Sequence, residues 1–196
     1  MGRIFSNMYD VMMRPVEKYS FAKMRKELLK GACGKVLEIG SGTGVNFPHY
    51  PSGVSITALE PDNQMIKYAF KRAEKVKAEV VMVHGEAETL PFAENSFDTI
   101  VSTLVFCTIP RPEEAMKEIK RVLKPGGTLL FLEHVRMDHS KIGRTQDVIN
   151  PIWKRLAAGC HLNRQTGKLL EQSGLEILSE KTHYRGLLLI LKARLP

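Results

Sequence analysis

Two carboxylates and a run of glycines carry the clearest chemistry in this sequence. The segment Glu38-Ile39-Gly40-Ser41-Gly42-Thr43-Gly44 follows the short apolar run Val36-Leu37, and Glu60 closes the next apolar run. Glycines at a strand end permit a tight turn and let a ligand approach the backbone. Ligands of open α/β sheets bind beyond the carboxyl ends of the strands, so Glu60 is placed to accept both hydroxyls of a ribose. The plainer alternative is that Glu60 only caps a helix beginning at Asp62. A dinucleotide-binding loop would read G-x-G-x-x-G. Here the third glycine comes one residue early and Val45 stands next, which argues against a nicotinamide or flavin enzyme.

The surrounding pattern supplies the elements that must hold these residues. Apolar runs predict strands at 35–40, 54–60, 80–83, 97–105 and 128–135. Helices are expected at 21–29, from an Asp62 N-cap to about 76, and at 113–123, the last closed by Lys124-Pro125-Gly126-Gly127. Strands alternating with helices imply a mostly parallel sheet covered on both faces. Helical stretches near 143–158 and 164–173 then lead to two adjacent strand candidates, 175–182 and 187–193. The expected fold is α/β, a Rossmann-like three-layer sandwich with a mostly parallel seven-stranded sheet and an antiparallel C-terminal edge strand.

Composition excludes several classes. The chain of 196 residues suits one domain with a full core. No apolar run reaches the ~18 residues of a membrane span, and no signal-peptide h-region is visible. The expected location is therefore the cytoplasm, at most peripheral to a membrane. The three cysteines, Cys33, Cys107 and Cys160, include no CxxC pair, so they read as reduced packing residues and no metal site is expected. The net charge of +8 invites nucleic acid or anionic surfaces. Solvated helix faces explain it equally well.

With these residues in view, the sequence resembles the class I S-adenosylmethionine-dependent methyltransferase family over nearly its whole length. Five segments carry the resemblance: E-x-G-x-G-x-G at 38–44, Ala58-Leu59-Glu60-Pro61-Asp62, residues 85–92, Phe97-Asp98-Thr99-Ile100-Val101, and Leu123-Lys124-Pro125-Gly126-Gly127. The resemblance implies S-adenosylmethionine as cofactor and S-adenosylhomocysteine as product. It implies that Glu38 and the backbone of Gly40, Ser41, Gly42 and Gly44 hold the amino-acid end. Glu60 would bind the ribose, and Pro61 and Met65 would pack near the adenine. Glu86, where the family often has Asp, and Ala87 would address the adenine edge. Thr103 and Leu104 would line the floor near the sulfonium. One domain over 1–196 follows: a helical lid at 1–30, the cofactor-binding core at 31–135, a helical acceptor-side insertion at 136–174 and a terminal strand pair at 175–196.

The acceptor is less sharply marked. Enzymes that methylate exocyclic amines of nucleobases resemble one another in an Asp/Asn-Pro-Pro-aromatic turn, where this chain has Thr103-Leu104-Val105-Phe106. No cysteine follows proline, as the cytosine C5 enzymes would require. Nucleic acid is thus disfavoured. A narrower resemblance joins residues 43–47 with Tyr50-Pro51, 102–107, Glu133-His134-Val135, Asn150-Pro151-Ile152-Trp153, 158–162 and Arg164 to a methyltransferase-like subfamily that includes membrane-associated alkyl thiol methyltransferases. Members of that subfamily carry an apolar N-terminal anchor, a feature not seen in this sequence. The leading expectation is S-methylation of a small or lipophilic thiol. The alternatives are a phospholipid head-group or quinone-precursor methyltransferase at a membrane, and a cofactor- or RNA-binding module without catalysis.

His134 is the candidate catalytic base, since a neutral imidazole accepts a thiol or amine proton. A structural hydrogen bond is the competing role. Tyr9, Cys107, Trp153, His161 and Arg164 are candidates for the acceptor pocket, with core packing the alternative for Trp153 and Cys107. Phe5, Met8, Tyr9, Met12, Met13 and Val16 form an apolar helical stripe flanked by Arg3, Arg14 and Lys18. That stripe reads first as a lid, then as a peripheral membrane contact, then as plain packing. No obligate protein partner is indicated.

Overall fold

The computed structural model describes residues 21–157 and 159–196, so the expectations for Phe5, Tyr9, the rest of the apolar stripe and the first 20 residues of the lid lie outside the described residues. Helix α1 covers Ala22–Leu29 and leads into β1, Lys35–Ile39. Then come β2 (Ser55–Glu60), α2 (Asn63–Ala73), β3 (Glu79–His84), β4 (Phe97–Thr103), α3 (Pro112–Val122) and β5 (Leu123–His134). The chain ends with α4 (Ser140–Leu156), α5 (Thr166–Gln172), β6 (Glu176–His183) and β7 (Leu188–Arg194). The seven strands form one sheet in the order β3-β2-β1-β4-β5-β7-β6.

β1 pairs in parallel with both β2 and β4, and β4 pairs in parallel with β5. β7 runs antiparallel to β5 and β6. The antiparallel strand expected at the C-terminal end is therefore present. It lies one place in from the edge, because β7 inserts between β5 and β6. The order reverses at β1, so the carboxyl ends of β1 and β4 face the crevice where ligands of such sheets bind.

Consecutive strand residues point to opposite faces, and the core divides accordingly. Leu37, Ile100, Leu129 and Phe131 pack on one face with Ala115, Met116 and Ile119 of α3 and Leu170 of α5. Val36, Val101, Leu130 and Leu132 pack on the other with Leu28 and Leu29 of α1 and Ala69 of α2. Both faces of the central strands are thus buried, which explains their unbroken apolar runs. Pro112 opens α3, with Glu113 and Glu114 in its first turn and Lys120 and Arg121 in its last, matching the helix dipole at both ends. β5 begins at Leu123, earlier than the expected 128, because Leu123 pairs with Phe97 before the register shifts. Helix α4 carries Pro151 within it and leaves Val148, Ile152 and Leu156 exposed. Among the described residues no helix is long and apolar enough to cross a membrane.

Asp62 caps α2 as expected: its carboxylate accepts from the backbone N–H groups of Gln64 at 2.7 Å and Met65 at 3.3 Å. Asp62→Ala is expected to lower stability by about 1 kcal/mol, read as a lower urea midpoint at unchanged slope. An unchanged midpoint would show that the cap is energetically idle.

Candidate functional site

The glycine loop leaves β1 at Ile39 and turns three times through the left-handed region. Gly40, Gly42 and Gly44 have φ of 62°, 56° and 79°. A Cβ on Gly40 would lie 2.6 Å from the γ carbons of Val105, and one on Gly44 would lie 2.5 Å from the Phe47 ring. A Cβ on Gly42 would meet nothing within 4 Å. The outer two glycines are therefore needed for packing, while Gly42 leaves its backbone open to an approaching group. Ser41 Oγ is buried without a hydrogen-bond partner among the described residues. Arg72 of α2 holds the loop from behind, donating to the Thr43 carbonyl at 2.7 Å and to its hydroxyl.

Glu60 ends β2 with its side chain buried against this loop. One carboxylate oxygen accepts from Gly42 N–H at 2.9 Å and the other from Asp62 N–H at 3.0 Å. Burial raises its pKa, and these two N–H groups work in the opposite direction. Glu60 thus ties the loop to the start of α2, and each oxygen keeps a lone pair that a vicinal diol could use. Met65 is buried one turn into α2, and Ala87 is buried beyond β3. Glu86 is exposed next to Gly85, whose N–H donates to the Glu60 carbonyl at 3.3 Å. The Pro61 carbonyl lies 2.9 Å from His84 Nε2. These residues follow the carboxyl ends of the neighbouring strands β2 and β3.

A buried polar network lies under the loop. Asn46 Nδ2 donates to Glu38 Oε1 at 2.9 Å and to Thr103 Oγ1 at 3.0 Å. Tyr50 donates its hydroxyl to Glu38 Oε2 at 2.8 Å. Arg25 donates to Asn46 Oδ1 at 3.0 Å and to Thr103 Oγ1 at 2.5 Å. Burial pushes Glu38 up to about 7 despite Tyr50, Asn46 and Arg25, which favour the anion. Arg25, Asn46 and Tyr50 were not assigned roles from sequence. The signal for Arg25 was its place on the apolar face of α1 with Leu28 and Leu29, where a cation needs a buried partner.

The third part of the site is the turn after β4. Leu104 has φ 60° and donates its N–H to the Leu132 carbonyl at 2.7 Å. Glu133, fully buried on β5, gathers this turn onto one oxygen. Its Oε1 accepts from Ser102 Oγ at 3.1 Å and from the N–H groups of Val105 at 2.9 Å and Phe106 at 3.1 Å. Burial raises its pKa against those donors. In the sequence Glu133 reads only as a possible partner for one of the nearby basic groups; its hold on the backbone of this turn is not visible there.

Next to Glu133, the structure brings Cys107, His134 and Cys160 together. Their sulfur and ring-nitrogen atoms all lie within 4.8 Å of one another, with His134 Nε2 3.0 Å from the Cys160 sulfur. The hydrogen bond from Cys107, helped by His134, holds the Cys160 thiol down at about 4. The same bond, with burial, pushes Cys107 up. Burial disfavours the His134 cation, but Cys160 and Glu133 outweigh it and raise its pKa. The two cysteines therefore do not merely pack, as their spacing had suggested; Cys33 alone is exposed.

The other acceptor-pocket candidates gather here too, apart from Tyr9, which lies outside the described residues. Trp153 is exposed rather than core, and it helps hold the Cys160 thiol down. His161 donates its backbone N–H to the Cys107 carbonyl at 2.8 Å, and burial, with Arg164 and Lys154, lowers its ring pKa. Arg164 reaches the Ile109 carbonyl at 2.8 Å.

Known proteins resemble the chain in sequence and in fold. A family model described as a methyltransferase domain matches residues 37–131. The chain is 35% identical over 181 residues to thiol S-methyltransferase TMT1B of Rattus norvegicus, covering 84% of this chain and 74% of the relative. It is 38% identical over 151 residues to thiol S-methyltransferase TMT1B of Homo sapiens, covering 74% of this chain and 62% of the relative. The crystal structure of a SAM-dependent methyltransferase from Aquifex aeolicus superposes with a TM-score of 0.72 at 19% identity, covering 100% of both chains.

The Glu38 network predicts a pH signature in the cofactor-free protein. Below pH 4.5 the carboxyl is protonated folded and unfolded, and above about 7 it is ionised in both. Between these values the folded state keeps a proton that the unfolded chain has lost, so stability falls as pH rises through the window. The expected loss is about 3 kcal/mol at most. Urea unfolding from pH 4 to 8 should show this decline in wild type and a shallower one in Glu38→Gln, where only the raised Glu60 and Glu133 carboxyls still contribute. Parallel profiles would place the titration elsewhere.

Proposed function

The chain belongs to the class I S-adenosylmethionine-dependent methyltransferase family, and from that premise we propose that it transfers the methyl group to the sulfur of a small, apolar thiol. The enzyme class and the cofactor follow from family membership. The observation that carries the acceptor is the 35% identity to a thiol S-methyltransferase over most of both chains. The sulfur-rich surroundings of the 104–107 turn support it.

The residues present fit the cofactor: an open backbone at Gly42, an orphaned Ser41 hydroxyl and a strand-end carboxylate at Glu60. When bound, S-adenosylmethionine supplies an electrophilic methyl carbon on a sulfonium sulfur. Glu60 would accept from the ribose hydroxyls. Glu38, held by Asn46 and Tyr50, would set a negative field for the amino-acid end. Pro61, Met65, Glu86 and Ala87 would receive the adenine. Thr103 and Leu104 would form the floor, on which Glu133 fixes the backbone. Displacement at such a carbon depends on alignment and water exclusion, which rigid loops supply.

A thiol is a far better nucleophile once its proton is lost. His134 was the expected base, but its Nε2 faces the Cys160 sulfur. His134 would then act within the group it forms with Cys107 and Cys160, its Nε2 being engaged by the Cys160 sulfur.

The protein should convert alkyl thiols to methyl thioethers with S-adenosylmethionine, as followed by mass spectrometry. Glu60→Ala should weaken cofactor binding at least about tenfold by calorimetry, since hydrogen bonds to a carboxylate contribute about 1.5–3 kcal/mol. Transfer to phosphatidylethanolamine vesicles, demethylated quinones or RNA, with none to a panel of thiols, would overturn the acceptor. Unchanged affinity in Glu60→Ala, checked for folding, would overturn the ribose assignment.

A further inference from the structure

Cys107, His134 and Cys160 come from three separate segments: the turn after β4, the last residue of β5 and the loop after α4. Each is pinned by backbone bonds that do not involve the side chains. Cys107 accepts from His161 N–H at 2.8 Å, which clamps the two cysteine segments together. Cys160 donates its N–H to the Ala157 carbonyl at 2.9 Å. His134 pairs with Leu188 in the sheet. Glu133 holds the residues just before Cys107. Three soft or borderline donors are thus presented at one point by a rigid frame.

Two thiolates and one imidazole are the donor set of a thiophilic divalent cation. Tetrahedral zinc with bonds of about 2.0–2.3 Å puts its ligand atoms roughly 3.3–3.8 Å apart. Here the three atoms lie within 4.8 Å, with one pair at 3.0 Å, so small side-chain shifts would close them on an ion. Two thiolates neutralise a dication, which suits a site where Cys107 is buried and the Glu133 carboxylate lies close by. Two further buried atoms there, His134 Nδ1 and Glu133 Oε2, have no hydrogen-bond partner among the described residues. Such unpaired atoms are common signs of a missing ion or water.

The group counts three ligands, without a fourth His, Cys, Asp or Glu among the described residues. Three protein ligands with an open position are the pattern of zinc sites that act on a substrate, whereas structural sites are closed by four. The group also lies close to the glycine loop, since Cys107 ends the turn whose Val105 packs directly on Gly40.

We propose that Cys107, His134 and Cys160 form a three-ligand site for a divalent cation of the zinc class, and that its fourth position takes the sulfur of the acceptor thiol. The second half rests on the reading that the acceptor is a thiol. On coordination the S–H bond breaks, its electron pair stays on sulfur, and the proton passes to solvent buffer. A metal-bound thiol is deprotonated at neutral pH, so no separate base is required. The new sulfur–methyl bond would form as the donor's methyl–sulfonium bond breaks, with that electron pair staying on the sulfur of S-adenosylhomocysteine; the thioether carries no charge and is a weaker ligand, which frees the position again.

The test begins with protein stripped of metal under reducing conditions and titrated with Co²⁺. One equivalent should give the intense visible bands of a tetrahedral thiolate site, and Zn²⁺ should bleach them. Adding an alkanethiol without any methyl donor should shift those bands. Cys160→Ser and His134→Gln should bind Co²⁺ at least tenfold more weakly while still binding S-adenosylhomocysteine. If a variant fails to fold, the wild-type titration with thiol decides by itself. Absence of the bands, or equal Co²⁺ binding by folded variants, would overturn the site. So would full thioether formation by exhaustively chelated protein, an outcome that leaves the thiol reading intact. Bands that shift with thiol but no thioether product would support the site and defeat the thiol-transfer reading instead.

Discussion

Three buried carboxylates at the carboxyl ends of strands organise everything above the sheet. Glu38 on β1, Glu60 on β2 and Glu133 on β5 are each almost wholly removed from water. A buried anion is costly unless hydrogen-bonded, so each must draw donors to itself. Glu38 draws Asn46 and Tyr50, Glu60 draws the N–H groups of Gly42 and Asp62, and Glu133 draws Ser102 and the N–H groups of Val105 and Phe106. Satisfying the three charges fixes the glycine loop, the start of α2 and the turn after β4. Those are the three walls of the crevice where the sheet order reverses.

The same residues show how one feature serves fold and function together. Glu60 was open to two readings, a cap for the following helix or a ribose acceptor. In the structure it bonds Asp62 N–H and Gly42 N–H at once, so the contact that starts the helix also aims the carboxylate at the loop. Gly40 works similarly. Its missing side chain lets Val105 close on the loop, which brings the sulfur-bearing turn beside the glycines.

Local signals were legible in the sequence. The strands, the Asp62 cap and the glycine loop each lie within one short stretch, and hydrophobic period or turn chemistry marks them. What escaped were pairings across the chain. Arg25 meets Thr103, Glu133 meets Val105, and Cys107 meets Cys160 only because the sheet order places β4 beside both β1 and β5. Cysteine spacing could not reveal the last pair, since short-range motifs were the only metal signature available. The place of β7 one strand in from the edge was hidden for the same reason: an antiparallel pair is visible in sequence, but its docking partner is not.

Helix α4 differs in character from the rest, since it leaves Val148, Ile152 and Leu156 exposed near Lys154 and Arg155. An exposed apolar and basic face of this kind is compatible with the lipophilic acceptor proposed above. A cofactor lying across Gly42 with its sulfur beside the 104–107 turn would be seen at once in a crystal structure with S-adenosylhomocysteine. The ribose should sit on Glu60 and the sulfur should face Cys107, His134 and Cys160. A ligand seated elsewhere, or with its sulfur turned away from that group, would contradict this placement.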